Sequence, residues 1–264
     1  MYPLLITPVY SLFFHSTLFI LSSILNLVSD KIRYNLEGRI IYFAKGMMMV
    51  ETYKVKSINA ARVQTLTFGS KTFESALLKS PIKEEMFVTK TGLTSDEQTP
   101  EHHGGTEKAL CLYPYDHHHF WRDWMKVKEG ESMFGENLTT EGLLERETCI
   151  GDQFQFGEAV IQVTEPRQPC FKIAAKYDKP ELIVRMRDSG YTGFYFRVLK
   201  EGTVKPGDDL KLIQRDPAGV TVQHVNDLLF AKKPTKEQYE MVLSAQALSK
   251  TLRPKLEKKL SELH

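Results

Sequence analysis

One cysteine stands apart by its surroundings. Residues 164–172 read Thr164-Glu165-Pro166-Arg167-Gln168-Pro169-Cys170-Phe171-Lys172 and close an apolar run at 159–163. Pro166 and Pro169 fix φ on either side of Arg167, so the guanidinium and the Cys170 thiol leave the strand with little freedom. Arg167 and Lys172 put positive charge near that thiol, which favours the thiolate, at once a nucleophile and a soft metal ligand. Cys111 and Cys149 lie in apolar or strand-like text and read as small inert hydrophobes whose loss costs stability at most. Three cysteines without CxxC spacing argue against a disulfide framework and a structural zinc site, and for a reducing, cytoplasmic setting.

Three further segments carry suitable chemistry. In His102-His103-Gly104-Gly105-Thr106-Glu107-Lys108-Ala109 the paired glycines allow positive φ and close approach to a ligand, and Lys108 can meet an anion as a point charge. An ordinary glycine turn explains the same text, and the spacing is not that of a Walker loop. Residues 134–142, with Glu136, Asn137, Thr139 and Thr140 between glycines, suit the polar edge of a cofactor or their own backbone equally. Residues 190–198 bring Tyr191, Phe194, Tyr195 and Phe196 together as a pocket wall or as core. His102, His103, His117, His118 and His119 lack paired zinc spacing, and the last three decorate the start of a helix.

The elements that must position these residues are mostly short strands. Alternation at 53–59, runs at 63–68, 87–89, 148–163, 193–199 and 209–214, and glycine turns between them predict a closed or nearly closed β-barrel. One helix is predicted from an Asp116 cap to about residue 126, and another near 179–189. After residue 221 helical spacing recurs in Val222, Val225, Leu228 and Leu229. Thr235 caps a second helix to about 247, and a third spans about 254–260, making a small three-helix bundle.

Together the four segments, in order and spacing, resemble the MOSC family, named for the C-terminal domain of molybdenum cofactor sulfurase. They resemble most its bacterial subgroup tied to hydroxylaminopurine resistance. The resemblance rests on His103-Gly104-Gly105 with Lys108, on Tyr113-Pro114, Gly135-Glu136-Asn137-Leu138 and Gly151-Asp152, and on Pro166-Arg167-Gln168-Pro169-Cys170. It implies a mainly β fold with α, in which a distorted β-barrel (residues 47–220) precedes a C-terminal three-helix domain (221–264). It implies a molybdenum cofactor of the molybdopterin type, with Cys170 as metal ligand and catalytic residue. On residue type, Lys108, Arg167 and the Gly104-Gly105 backbone would hold its phosphate, while His103, Asn137 and Thr139 would meet the pterin or position substrate. The implied activity is reduction of N-hydroxylated compounds to the amine, with electrons from a separate flavin-containing reductase. The alternative is a sulfur carrier using a persulfide on Cys170.

Net charge is +2, so bulk charge calls for no nucleic acid, and the eight Lys/Arg against four Glu in 231–264 read as a solvated helical face. Residues 1–29 carry no Lys, Arg, Asp or Glu and are long enough to span a bilayer. With Lys31, Arg33, Arg39 and Lys45 following, such an anchor would leave the domain on the cytoplasmic side. The competing expectation is that Met47-Met48-Met49 is the translation start and that 1–46 is not part of the folded protein.

Overall fold

The computed structural model describes residues 32–36, 39–43, 50–97, 104–125 and 132–263. The uncharged run 1–29 and His103 lie outside them. Among the described residues no helix is long and apolar enough to cross a membrane.

Among the described residues, sixteen strands and six helices alternate along the chain. The strands are β1 Ile32–Leu36, β2 Arg39–Phe43, β3 Val50–Tyr53, β4 Val55–Ala60, β5 Gln64–Phe68, β6 Lys71–Ser75, β7 Ser80–Pro81 and β8 Met86–Thr89. They continue as β9 Gly92–Leu93, β10 Leu110–Pro114, β11 Leu138–Thr140, β12 Gln153–Phe156, β13 Ala159–Pro166, β14 Phe194–Lys200, β15 Gly202–Val204 and β16 Leu210–Gln214. The helices are α1 His118–Arg122, α2 Phe171–Tyr177, α3 Leu182–Ser189, α4 Val222–Phe230, α5 Lys236–Ser244 and α6 Arg253–Ser261.

The fold is mainly β with α, as the sequence predicts, but the main sheet does not close as one barrel ladder. Its order is β1-β2-β3-β16-β12-β13-β14-β10-β11-β4-β7. The two halves of one bent segment, β3 and β4, pair with opposite ends of the intervening run: β3 with β16, β4 with β11. Between them the ladder breaks at Lys54. There the Lys54 carbonyl accepts from Glu141 N at 2.9 Å, and Val55 N donates to Asp209 Oδ1 at 3.1 Å. The β1–β2 hairpin, which the sequence does not announce, extends the sheet beyond β3. All pairings in this sheet are antiparallel except β10 with β11, which run parallel.

Period-two patterning decides which side chains enter the core. In β14 Phe194, Phe196 and Val198 are buried, while Tyr195 and Arg197 face the other way. In β12 Phe154 and Phe156 are buried and the glutamines are not. Each such aromatic contributes about 1.5–3 kcal/mol by leaving water. One core cluster runs from these strands into the tail, joining Ile161 and Val163 to Val225, Leu228, Val242 and Leu256. Thr221 and Thr235 cap α4 and α5 through capping boxes with His224 and Gln238. A second cluster of Tyr113, Trp121, Phe134, Ile173 and Met186 lies under α1–α3.

Asp116 does not cap the first helix. That helix starts at His118 after a 3₁₀ turn, has no side-chain cap, and ends at Arg122. The Asp116 carboxylate instead accepts from Gly142 N at 2.9 Å and ties the turn to the loop after β11. Helix α2, which begins directly after Cys170, is not foreseen by the sequence pattern.

Candidate functional site

Strand β13 delivers the proline-flanked segment to the edge of the sheet. Pro166 pairs with Phe194 of β14, and Arg167 N donates to Gly193 O at 2.9 Å, so the chain is still held one residue past the strand. Cys170 then occupies the N-cap position of α2, half-buried and with a free thiol. It lines a solvent-open cleft together with Lys108, Cys111, Arg167, Lys172 and Tyr195. Among the described residues four cations face this cleft, Lys79, Lys108, Arg167 and Lys172, against one lining carboxylate, Glu97.

Arg167 is the most constrained of them. Its side chain is buried, Nη2 donates to Phe134 O at 2.5 Å, and Nη1 is buried with no partner among the described residues. A buried guanidinium N–H left unmatched costs on the order of 1–3 kcal/mol, so the site is built for an acceptor that these residues do not supply. Lys108 closes the 3₁₀ turn Thr106–Lys108 and its Nζ lies 2.9 Å from Glu165 Oε1, with Glu165 almost fully buried. Tyr195, on the outward side of β14, sits beneath it, with Lys108 Nζ 5.5 Å from the ring centroid. Burial pushes the Tyr195 hydroxyl well above its usual range, so it stays a phenol at neutral pH. Burial likewise pushes up the Cys111 thiol.

The structure brings Gly104, Lys108, Asn137, Arg167 and Cys170 to one cleft. Gly105, at φ +81°, shapes the turn that carries Lys108 without lining the cleft. Asn137 reaches the wall, but its amide is committed. Oδ1 accepts from Cys111 N at 3.0 Å, and Nδ2 donates to Asn59 O at 3.2 Å and Asp96 Oδ2 at 2.8 Å. Thr139 is not part of the cleft: it lines a different cavity, donates to Glu136 Oε1 at 3.1 Å and accepts from Asn59 Nδ2 at 3.3 Å.

Three further residues contribute, of which the sequence pattern missed only Lys79. Tyr195 was legible as the outward position of an alternating strand. Lys79, buried and paired with Asp96, comes from a stretch with no signal of its own. Glu136 is a fully buried carboxylate that accepts from Met133 N, Phe134 N and Ser132 Oγ, and it fixes the loop whose Phe134 carbonyl holds Arg167. Cys111, expected as plain core, forms part of the cleft wall.

These residues suit an anionic group that brings its own metal and sulfur donors. One uncommitted thiol is enough to complete such a metal's shell, and Arg167 Nη1 with Lys108 offers positive donors to a phosphate.

Comparison with known proteins finds relatives in both sequence and structure. Residues 99–211 match the family model for the MOSC domain, and 220–263 match that for the YiiM-like, 3-alpha helix domain. The chain is 40% identical over 217 residues to the uncharacterized protein YflK of Bacillus subtilis, covering 82% of this chain and 98% of that one. A protein named reductase from Gibberella moniliformis is 32% identical over 183 residues, 66% of this chain but 32% of that longer protein. The crystal structure of YiiM from Geobacillus stearothermophilus superposes with a TM-score of 0.65 at 32% identity, covering 77% of this chain and 97% of that one.

Proposed function

This chain belongs to the MOSC family and carries a YiiM-like three-helix domain, and on that premise we propose that it is a molybdenum-cofactor oxidoreductase reducing N-hydroxylated compounds, such as hydroxylaminopurine, to the amine. The observation that carries the reading is the free, half-buried Cys170 thiol in a cationic cleft beside the unmatched Nη1 of Arg167. The relative named reductase supports a redox role.

The cofactor, when bound, supplies the oxygen-atom chemistry, and the protein supplies binding, orientation and electrostatics. Cys170 provides the soft thiolate ligand. Arg167 and Lys108 hold the phosphate, and the Gly104-Gly105 turn lets backbone approach it. Tyr195 stays protonated and can donate a hydrogen bond into the cleft. The overall change takes two electrons and two protons, cleaves the N–O bond and releases water. The electrons are assigned to a separate flavin-containing reductase.

The test is molybdenum content by elemental mass spectrometry on protein made in a cofactor-competent host, wild type beside Cys170→Ser, followed by hydroxylaminopurine turnover. Near-stoichiometric metal in the wild type, lost with turnover in the variant, is the expected result. Metal-free protein in both, with host cofactor synthesis confirmed, refutes it. That result moves the assignment to a sulfur carrier with a persulfide on Cys170, for which an accessible free thiol among cations is the favouring observation.

A further inference from the structure

Two residues singled out by the sequence, His118 and Thr139, meet at a place the proposed reaction does not use. They line a cavity of about 310 Å³ that shares no lining residue with the Cys170 cleft. A volume of that order accommodates a small organic ligand. Part of its wall is apolar, with Val55 and Ile58 from β4 and Ile82 after β7.

Two features call for a partner. His118 is 7% exposed, and its Nε2 is buried with no hydrogen-bond partner among the described residues. Burial, with Arg122, His117 and Lys56 adding to it and Glu136 opposing, holds this imidazole down to about 4, so at neutral pH it is uncharged and offers one donor and one acceptor. Beside it, Lys56 Nζ lies 4.1 Å and Arg122 Cζ 5.5 Å from the centroid of the Tyr115 ring, itself 4.7 Å from the His118 ring. Glu141 answers Lys56 at 2.8 Å. Among the described residues no carboxylate answers Arg122, which donates only to Tyr115 Oη, at 2.8 Å. Two converging cations with one counter-charge attract an anion.

We infer that this cavity is a second ligand site, for a small planar aromatic acid whose carboxylate meets Arg122 and Lys56, whose ring lies against the apolar part of the wall and whose second polar group meets His118.

The experiment is calorimetric titration of the full chain with 4-hydroxybenzoate, benzoate and neutral benzyl alcohol. Saturable binding of 4-hydroxybenzoate is expected, weakened at least about tenfold by Arg122→Ala and by replacing the carboxylate with the alcohol, since a charge-assisted hydrogen bond is lost. The hydroxyl should favour 4-hydroxybenzoate over benzoate in the wild type and give no advantage in His118→Phe. Arg167→Met, in the Cys170 cleft, should leave binding unchanged, with circular dichroism confirming that each variant is folded. Failure of all three compounds to saturate in the low-millimolar range overturns the site. Binding that survives Arg122→Ala but is lost in Arg167→Met places the ligand in the cleft and overturns it equally. A hydroxyl preference that persists in His118→Phe removes His118 from the recognition.

Discussion

Lowering the pH should destabilise this protein through His118, by an amount the structure sets. The imidazole is buried among Tyr113, Tyr115, His117, Lys56 and Arg122, and its folded value is held at about 4 against an ordinary 6.5. Glu136 is the one neighbouring carboxylate that opposes this shift. A depressed histidine value means that the unfolded chain takes up a proton which the native state refuses. Stability is therefore unaffected above about pH 6.5 and falls as pH drops from there toward 4. At about pH 4.5 the linkage amounts to roughly 2.5 kcal/mol, because each tenfold difference in proton affinity between the two states is worth about 1.4 kcal/mol. That is a large part of the total stability of an ordinary domain. The assay is urea denaturation at several pH values for the wild type and His118→Phe, because carboxylate titrations common to both cancel in the difference. Near pH 8 the variant should match the wild type or exceed it by about 1 kcal/mol, having lost an unmatched buried nitrogen. By about pH 4.5 the gap should widen by roughly 2.5 kcal/mol in favour of the variant. Parallel pH profiles would show that the native state accommodates a charged His118 and would refute the burial argument.

Gly193→Ala should be among the costliest single-methyl changes. The glycine sits at φ +69°, and a Cβ there would lie 2.3 Å from the Leu112 carbonyl oxygen, within a paired strand that cannot move away. A loss of about 2–3 kcal/mol in chemical denaturation is expected, together with weaker molybdenum retention because Gly193 O holds Arg167 N. Arg197→Met removes a guanidinium that bonds both Glu107 at 2.8 Å and the Ala247 carbonyl at 2.7 Å, and should cost about 2–3 kcal/mol by urea denaturation. Lys236→Ala, breaking only an exposed pair with Glu240, should stay within about 0.5 kcal/mol in the same assay. Cys111→Ser should keep its molybdenum and lose about 1 kcal/mol, since its thiol is buried and burial disfavours its ionised form. Loss of metal in that variant would show that Cys111, not Cys170, supplies the ligand.

Local chemistry in the sequence carried the placement of Cys170, Arg167 and Lys108, because prolines and paired glycines restrict the backbone from within a few residues. The tail helices were legible too, the first from the spacing of Val222, Val225, Leu228 and Leu229 and the second from Thr235 as its cap. What escaped was set by contacts distant in sequence. Residues 134–142 read as one loop, binding a cofactor's edge or satisfying its own backbone, yet 138–140 form a strand between two cavities, so Asn137 faces one and Thr139 the other. The committed amide of Asn137 depends on Asn59 and Asp96, and no pattern near residue 137 reveals either. The interrupted barrel has a similar origin. Residues 53–59 alternate as one strand, while the break at Lys54 arises because opposite ends of the sheet arrive there with different partners.

The tail domain and the cleft are not separable parts of this molecule. Glu107 and Glu165 approach Lys108 from two sides, one as its chain neighbour and the other as its ion-pair partner. Both also touch the segment between α5 and α6: Lys250 N donates to Glu107 Oε2 at 3.0 Å, and Thr251 Oγ1 to Glu165 Oε1 at 3.5 Å. Ser249 N donates to the Thr164 carbonyl at 3.2 Å, one residue before Glu165. Glu165 is 1% exposed, so its carboxylate depends on Lys108 for compensation, and the tail that keeps water from it makes that pairing matter more. The height of the Lys108 ammonium in the cleft is therefore fixed by a carboxylate that the three-helix domain helps to bury. This makes Arg197→Met, which loosens the tail at Ala247, a perturbation of the cleft's cationic wall as well as of global stability.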